Sequence, residues 1–549
     1  MTQTDQSLPS SHSITPAARV AWLLLILATL YFSYFHNLGV IGLVGPDEPR
    51  YAWIARDMAE TGDWVTPRLY GKPWFEKPVL YYWGAALSFR WFGVTDTTAR
   101  LPSAIAALLA TVAMGWLAWR LYGGETARWL LALLPLTVGM IGFSHAAATD
   151  MVFAAMLTVA MTFTVVVLGL IPREVGASPP TWLALILFGF FLGLAVLAKG
   201  PAALILSGGA VLFWAAITQR WREAFRCLHP FAVASFCATA LPWYVICARR
   251  NPDFFRVFII EHNFKRYLTP EFQHIQPFWF YVPVTLVAFL PWAVLLLWAS
   301  ILGIQRIWQN GRLHPATTLL LCWAGFNLVF FSISKSKLPG YILPAIPAIG
   351  LLLARSFVVF SNQNEKSLRW LLSVYAVGSL LAGIPLIAVG KMPRVLLKPG
   401  PGEFVAVGCV VLAFGLANML LTLKTRAVPT AALCVIPILL LTLLFRPLSH
   451  PWLAHDPSGR TLAAELTKAD LCKTQLFAEN MKRGQLYSLS FYLHREVEPW
   501  DRNQSTPGYL LVLSRRCADL VGPSLTCEDS PIELGRSGWF AYRLVVKNQ

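Results

Sequence analysis

The sequence predicts an all-α polytopic membrane protein that ends in a small α/β domain. Of its 549 residues, 56% are hydrophobic and 13% are charged, whereas soluble proteins average roughly 45–50% apolar and about 25% charged residues. Apolar runs long enough to span a bilayer recur along the chain as far as residue 446. Beyond that residue the hydropathy falls to that of an ordinary soluble domain. This composition excludes a cytosolic enzyme and a disordered protein.

The net charge of +17 does not indicate a nucleic-acid partner. Nucleic-acid-binding proteins concentrate their basic residues in a patch or stripe, whereas here these residues are dispersed among short loops between apolar segments. The expected partner of such a surface is the lipid bilayer. The sequence shows no glycine-rich phosphate-binding loop, so we expect no nucleotide cofactor.

Thirteen membrane spans are predicted within a transmembrane domain at 18–446, which follows a polar tail at 1–17. The first apolar run, near 20–35, has no cleavage site after it and is therefore predicted to remain as an anchor. An apolar stretch at 79–93 is shorter and contains Arg90, which favours an interfacial helix. The other predicted spans lie near 101–119, 129–147, 151–171, 181–198, 201–217, 229–247, 278–299, 316–333, 341–359, 370–389, 404–422 and 428–445.

The basic residues do not orient the protein by themselves, because the two sides differ little in the short loops that the positive-inside rule counts. On the side opposite the N-terminal tail they concentrate in two long loops, 37–100 and 248–277, and in two short turns. Solvated loop charge is one explanation. However, Lys199 and Lys337 sit at tight junctions between apolar helices, where a cation suits an anionic lipid headgroup and above all a phosphate.

The C-terminal part, residues 447–549, is predicted to be a small α/β domain. Helices are expected near 459–470 and 486–494, and strands near 475–479, 508–514 and 538–546. Three cysteines lie in this part: Cys472, Cys517 and Cys527. They allow one disulfide if the domain faces an oxidising compartment, and the pairing stays open.

Two carboxylates are candidates for acid–base chemistry. Asp47 precedes a helical pattern, and Asp150 follows the 146–149 segment at a helix junction, so either residue could simply cap its helix. Ionisable residues beside membrane segments are nevertheless costly and often functional. Two acids on one membrane face, surrounded by Lys and Arg, favour a general base beside a phosphate clamp. The base takes a proton from the attacking hydroxyl, and the cations neutralise the departing phosphate.

A third motif, Glu261-His262, lies in the second long loop and is followed by Lys265-Arg266. His262 could be an ordinary interfacial histidine. Together with Glu76 of the first loop it could instead hold a divalent metal ion, zinc or similar, because histidine and carboxylate are both zinc ligands. Two protein ligands make an incomplete set, so the metal remains an open prediction.

Six motifs occur in one order along the chain: Asp47-Glu48-Pro49-Arg50-Tyr51, Gly62-Asp63-Trp64, Phe75-Glu76-Lys77-Pro78, Lys199-Gly200, Glu261-His262 and the 337–344 segment KLPGYILP. Together they resemble the bacterial aminoarabinose transferases of lipid A, which are members of the protein O-mannosyltransferase-like glycosyltransferases with the GT-C fold. The resemblance covers roughly residues 20–350, and the later part matches only in layout. It implies thirteen transmembrane helices in the bacterial inner membrane, a cytoplasmic N-terminus, periplasmic loops at 37–100 and 248–277, and a periplasmic C-terminal domain.

The resemblance also implies roles for individual residues. Asp47 would be the main catalytic carboxylate and Asp150 its partner, while Arg50 would support the first loop. The donor phosphate would be held by Lys77, Lys199 and Arg266, with Tyr341 close to it, and the metal pair would be Glu76 and His262. Two departures from the family pattern matter. Trp74 stands where relatives often have tyrosine, and Lys265 competes with Arg266 for the same role.

The implied activity is an inverting transfer of a sugar from a polyprenyl-phosphate donor to a lipid A-type or other envelope acceptor. A protein O-mannosyltransferase-like enzyme would use the same donor chemistry with a different acceptor. A transporter or lipid flippase would also have many spans and charges within the membrane. Transporters, however, often show repeats and broken helices near the bilayer midplane, whereas the charged motifs here cluster at one face.

Overall fold

The computed structural model describes residues 15–172, 179–265, 275–310, 313–363 and most of 458–546, with isolated positions between 369 and 420. Most of this chain is helical. The α-helices are α1 (Pro16–Tyr34), α2 (Asp47–Thr61), α3 (Leu80–Phe92), α4 (Asp96–Tyr122), α5 (Gly124–Leu133), α6 (Val138–Ser144), α7 (Thr149–Val167), α8 (Thr181–Lys199), α9 (Ala202–Thr218), α10 (Trp221–Ala224), α11 (Pro230–Arg250), α12 (Tyr281–Ala288), α13 (Ala293–Asn310), α14 (Pro315–Ile333), α15 (Ile346–Gln363), α16 (Arg460–Lys468) and α17 (Arg483–Leu493). Short 3-10 helices cover Leu134–Leu136, Phe225–Leu228, Phe278–Phe280, Pro339–Ala345 and Gly535–Ser537, and a π-helix covers Arg256–Lys265.

The predicted polytopic architecture is confirmed in the described part of the chain. Seven helices there are long and apolar enough to cross a membrane, and nine spans result if each of two bent helix pairs counts as one. Helix α9 is apolar but shorter. Together these helices occupy the first ten predicted spans. The last three, near 370–389, 404–422 and 428–445, fall almost wholly outside the described residues, so the total of thirteen stays a prediction.

Two of the predicted spans are bent in the structure. In the span predicted at 129–147, the segments Gly124–Leu136 and Val138–Ser144 meet at 61°. In the span predicted at 278–299, Phe278–Ala288 and Ala293–Gln305 meet at 120°. Pro135 and Pro291 lie at or beside the two breaks. Proline interrupts a helix because it has no backbone N–H and its ring clashes with the preceding turn.

The core of the membrane domain is built around α7, which is buried along most of its length and packs between α4 and α8. Its threonine hydroxyls donate to carbonyls one turn earlier, as Thr158 does to Ala154 at 2.6 Å and Thr162 to Thr158 at 2.9 Å. No polar group of these two side chains is therefore left unsatisfied in an apolar interior. Helices α8 and α11 approach closely at Gly189, where a Cβ would lie 2.1 Å from the Ala232 carbonyl oxygen.

The long first loop is an ordered layer at one end of the helices. It contains α2, a two-stranded hairpin of β1 (Arg68–Leu69) and β2 (Lys72–Pro73), and α3. Helix α3 occupies the apolar stretch for which an interfacial helix is predicted. Trp91 and Phe92 at its end are exposed, as suits aromatic side chains at a membrane surface.

The predicted C-terminal α/β domain is confirmed. Its strands are β3 (Leu476–Ala478), β4 (Glu498–Pro499), β5 (Gly508–Val512), β6 (Leu525–Cys527), β7 (Ile532–Leu534) and β8 (Trp539–Val546). They form a mixed sheet in the order β4-β3-β5-β8-β6, in which β3 is parallel to both neighbours and β8 is antiparallel to β5, β6 and β7. Cys517 and Cys527 form a disulfide, which settles the pairing, and Cys472 is free. The predicted boundary at 447 lies outside the described residues.

The C-terminal domain rests on the first loop. Ser488 Oγ donates to the Leu43 carbonyl at 2.7 Å, and the Leu43 amide donates to the Tyr492 hydroxyl at 2.8 Å. Asp96 accepts from Tyr492 and pairs with Arg460 at 2.9 Å. The segment after α1 and the C-terminal domain therefore share one face. If α1 spans the membrane, the chain must cross the membrane an even number of times between the end of α1 and the C-terminal domain. A total of thirteen spans leaves twelve crossings after α1 and meets this requirement.

Candidate active site

The first group of site residues centres on Arg50 in α2. Asp47 is the first residue of this helix, and its side chain pairs with Arg50 instead of capping the helix. Arg50 also pairs with Glu76 at 2.9 Å, and Lys77 Nζ lies 3.5 Å from the other Glu76 oxygen. Only 5% of the Arg50 side chain is exposed, against 51% of the Asp47 side chain. The four residues thus form one chain of ion pairs, and Asp47 is the solvent-exposed end of this chain.

Aromatic rings enclose the Arg50 guanidinium. Its carbon lies 5.6 Å from the ring centre of Tyr51 and 5.4 Å from that of Trp74, distances typical of cation–π contacts. Burial disfavours the charged form, but Glu76, Tyr51 and Asp47 favour it and raise the pKa of Arg50 above its ordinary value. The departure from the family at Trp74 thus places an indole against this cation.

A buried ion pair beside Asp47 fixes the loop. Glu48 accepts two bonds from Arg100, at 3.0 and 2.8 Å. Arg100 also donates to the carbonyls of Leu38, Ile41 and Gly42. The two Glu48 oxygens further accept the amides of Val44 and Ala147, at 2.9 and 2.7 Å. The bond to Ala147 joins the start of α2 to the turn that leads into α7, so Asp47 and Asp150 lie at the same end of the helices.

Asp150, Lys199 and Tyr341 form the second group. Asp150 is the second residue of α7, and its Oδ1 accepts a bond of 2.5 Å from Lys199 Nζ at the end of α8. Lys199 Nζ also lies 4.9 Å from the Tyr341 ring centre and 5.4 Å from that of Phe153. Gly340 brings the 3-10 segment against Asp150, because a Cβ there would lie 3.3 Å from Asp150 Oδ1. Asp150 therefore orients a lysine and does not cap its helix.

Two other motif residues have mainly architectural contacts. Lys337 is buried and donates to the carbonyls of Ser334 and Gln276 at 2.7 and 3.0 Å. Asp63 accepts the amides of Val65 and Thr66 at 3.1 and 3.2 Å. Partial burial acts to raise the pKa of Asp63, but these hydrogen bonds and two nearby arginines lower it below its ordinary value. Asp63 is therefore ionised and holds the turn after α2 through these hydrogen bonds.

The remaining predicted site residues lie in the second long loop. The backbone of His262 belongs to the π-helix, but its side chain and the whole of Arg266 lie outside the described residues. Among the described residues no group of three or more metal-binding side chains occurs. Glu76 is engaged by Arg50 and Lys77 there, which fits an ion-pair acceptor better than a metal ligand. The pair with His262 stays a prediction, and no step below uses a metal.

Sequence reasoning assigned no role to Arg100 or to the C-terminal domain. Glu48 belongs to the first motif, which gives no indication of its partner Arg100. A charge at the edge of an apolar span, as at Arg100, was the signal that could have revealed the buried pair. Tyr487 of α17 lies with its ring centre 5.7 Å from the Arg50 guanidinium carbon, and nothing in the sequence connects these two residues.

The chain resembles known membrane-bound transferases. A family model described as dolichyl-phosphate-mannose-protein mannosyltransferase matches residues 20–258. The undecaprenyl phosphate-alpha-4-amino-4-deoxy-L-arabinose arabinosyl transferase of Aeromonas salmonicida is 32% identical over 390 residues, which cover 70% of this chain and 69% of that protein. The chain belongs to this arabinosyl transferase family. The resemblance inferred from the six motifs is thereby confirmed.

Other arabinosyl transferases of this family are similarly related to the chain. A second such protein, from Sodalis glossinidius, is 34% identical over 68% of each chain. The match to that of Edwardsiella ictaluri, 33% identical over 68% of this chain, covers 65% of the relative, just under two thirds of its length. The crystal structure of ArnT from Cupriavidus metallidurans bound to undecaprenyl phosphate has a TM-score of 0.77 and 23% identity, and the match covers 95% of this chain and 98% of that one. This likeness confirms the GT-C fold.

Proposed function

We propose that the protein is an inverting glycosyltransferase that moves a sugar from a polyprenyl-phosphate donor to a lipid A-type acceptor. The observation that carries this proposal is the joining of two carboxylate–cation groups at one end of the helices. Asp47 with Arg50 and Asp150 with Lys199 are linked through the Glu48–Ala147 bond. A base and a phosphate clamp must lie side by side in such a reaction, and family membership supports the same activity.

The Asp150 group suits the leaving phosphate. Lys199 is largely buried between a carboxylate and two rings, so its ammonium group is held in place before a ligand arrives. Electrostatic stabilisation of this kind requires little reorganisation when charge develops on the leaving oxygen. We assign Lys199 and Lys77 to the donor phosphate, together with Arg266 as the resemblance implies. Tyr341 would lie beside them.

The Asp47 group suits the attacking oxygen. Asp47 is half exposed and its Oδ1 is paired with Arg50, while its Oδ2 accepts no bond from the described residues. A carboxylate held at one oxygen can accept a proton at the other. The acceptor oxygen forms a bond to the sugar C1 as the bond from C1 to the phosphate oxygen breaks. The proton passes to Asp47, and the electron pair leaves with polyprenyl phosphate. Attack opposite the leaving group inverts C1.

The reaction is assigned to the periplasmic face of the bacterial inner membrane, with the N-terminus cytoplasmic. The Cys517–Cys527 disulfide supports this orientation, because disulfides persist in oxidising compartments. The domain that carries it contacts the first loop, and this loop holds Asp47. Whichever side holds the disulfide therefore also holds the site.

The names of the curated relatives favour 4-amino-4-deoxy-L-arabinose as the sugar and undecaprenyl phosphate as its carrier. The family model instead carries the name of a protein mannosyltransferase, which keeps a protein acceptor as the second candidate. Both candidates use a polyprenyl-type phosphate donor and differ in the acceptor. Mass spectrometry of lipid A and of envelope glycoproteins, with and without the gene, distinguishes them. Added mass on a lipid A phosphate supports the first candidate.

The test of the chemistry compares Asp47→Asn with Asp57→Asn in the purified full-length protein. Asp57 is a second aspartate of the same helix and serves as the matched control. We expect Asp47→Asn to lower the transfer rate by about 10²–10⁴-fold, the range for loss of a general base, while Asp57→Asn stays near the wild-type rate. Transfer by Asp47→Asn at the wild-type rate would remove Asp47 from the mechanism.

A further inference from the structure

Helix α17 of the C-terminal domain borders the Asp47 group. Gly484 packs on the backbone of Gly45, where a Cβ at Gly484 would lie 2.8 Å from the Gly45 carbonyl carbon. Only a residue without a side chain fits at this distance. The contact brings the start of α17 against the chain two residues before Asp47. The first turn of α17 is therefore a neighbour of the attacking side of the site.

Tyr487 lies between two guanidinium groups. The Arg50 carbon is 5.7 Å from its ring centre and the Arg483 carbon is 5.4 Å away. Arg483 Nε also donates to the Tyr487 hydroxyl at 3.2 Å. The ring thus holds Arg483 at the rim of the site and packs against Arg50 in its interior. The Nε of Arg50 is buried and has no hydrogen-bond acceptor among the described residues.

The charges within the group around Asp47 cancel. Asp47 and Glu76 balance Arg50 and Lys77, so this inner group has no net charge. Lys482 and Arg483 are both exposed, and neither forms an ion pair with a carboxylate in the described part of the chain. They add two positive charges to the rim next to Asp47. An arginine with open donors suits a phosphate oxygen in particular.

We propose that Lys482 and Arg483 bind a phosphate group of the acceptor next to Asp47, and that the C-terminal domain thereby selects a phosphorylated glycolipid. Tyr487 is a positioning residue that keeps Arg483 in place. This inference rests on the proposed function and adds the recognition of the acceptor to it. It also gives the packing of the C-terminal domain on the first loop a functional consequence, because the domain adds cations next to Asp47, where the charges of the inner group cancel.

The experiment measures transfer kinetics for Arg483→Gln and Lys482→Gln in the full-length protein. Lys468→Gln is the control, because Lys468 is an exposed cation at the far end of α16 in the same domain. We expect Arg483→Gln to raise the acceptor KM about tenfold, the effect of losing one charge-assisted hydrogen bond. The donor KM and kcat stay near wild type. Tyr487→Ala should raise the acceptor KM to a similar degree, whereas Tyr487→Phe, which keeps the ring, should have a smaller effect.

Two further measurements, one with a different acceptor and one with a different vesicle lipid, show whether the bound phosphate belongs to the acceptor or to the bilayer. Lipid A that lacks one phosphate should abolish the difference between wild type and Arg483→Gln if that phosphate is the ligand. If the deficit appears only in phosphatidylglycerol vesicles and disappears in phosphatidylcholine vesicles, the cations bind the bilayer and the proposal is wrong. An unchanged acceptor KM in an active Arg483→Gln protein also overturns it.

Binding of lipid A, measured without donor, separates this proposal from the proposed function. If the wild type transfers no sugar, the proposed function fails. The acceptor proposal is then decided by whether Arg483→Gln weakens lipid A binding about tenfold relative to Lys468→Gln. Equal binding by the two variants would reject it.

Discussion

Removing Arg100 tests the buried ion pair that joins the two halves of the site. Arg100 is 4% exposed and donates five hydrogen bonds, two to Glu48 and three to backbone carbonyls. Arg100→Met keeps much of the side-chain volume but leaves the Glu48 carboxylate buried without its cation. Two backbone amides, those of Val44 and Ala147, would remain as its donors.

The expected loss of stability follows from this burial. Breaking a buried pair by removing one partner costs about 3–5 kcal/mol, because an uncompensated charge remains in a low-dielectric site. Glu48→Gln removes the charge but keeps one acceptor oxygen, so we expect it to cost about 1.5–3 kcal/mol. The double variant should cost at least about 1 kcal/mol less than the sum of the two single changes, since neither charge is then left alone.

The assay is reversible unfolding in mixed micelles, followed by the fluorescence of the tryptophans. Arg220→Met is the matched control, because Arg220 pairs with Glu223 at 3.0 Å in a partly exposed i,i+3 arrangement. Such a pair contributes about 0.3–0.5 kcal/mol. If Arg100→Met unfolds with the same free energy as Arg220→Met, the Glu48–Arg100 pair does not hold the loop and the structural argument for the joined site fails.

Three further predictions concern other parts of the site and its setting. Lys199→Met should lower the rate of sugar transfer about 100-fold or more, because the positive charge that stabilises the transition state is lost, and Lys199→Arg should be less impaired. Single-turnover assays measure this rate. A wild-type rate in Lys199→Met would contradict the role proposed for the Lys199–Asp150 pair. The pKa of Asp63 is lower in the folded protein than its ordinary value, so ionised Asp63 stabilises the fold above about pH 4, the ordinary pKa of aspartate, and this contribution is lost as the pH falls through the folded pKa. The free energies of unfolding of wild type and Asp63→Asn, measured from pH 3 to pH 7, should therefore converge at the acid end. A difference that stays constant with pH would contradict this prediction. In intact cells a membrane-impermeant maleimide should label Cys517 and Cys527 only after a reductant is added. Labelling without reductant would show that the disulfide does not form, and no labelling even after reduction would place the domain on the side of the membrane that the reagent does not reach.

Much of the fold is predictable from the sequence, because a membrane imposes a simple rule. Every backbone polar group in the hydrocarbon must be satisfied within the protein, so long apolar runs become helices. Ten of the predicted spans are helical in the structure, as this rule predicts, and α7 and α8 are examples. It did not give the bends near Pro135 and Pro291, because hydropathy measures apolar content and is insensitive to the loss of one backbone donor.

The candidate site shows the same division. The sequence alone identified Asp47, Asp150 and Lys199 as chemically conspicuous, because charges beside apolar spans are costly and often functional, and the family resemblance added Lys77. Only the tertiary structure decided the pairing of Lys199 with Asp150 and of Arg50 with Glu76. Ion pairs depend on distances between segments that are far apart in the chain, and local patterns do not encode these distances.

The membrane class, the helical spans and the residue types of the site are determined by the sequence itself, since each is a property of a local window. The Glu48–Arg100 bond and the packing of Tyr487 on Arg50 exist only in the folded chain. Tyr487 lies more than four hundred residues after Arg50, and its place at the site depends on how a soluble domain docks on a loop. Docking is set by complementary surfaces, which form only after both parts have folded.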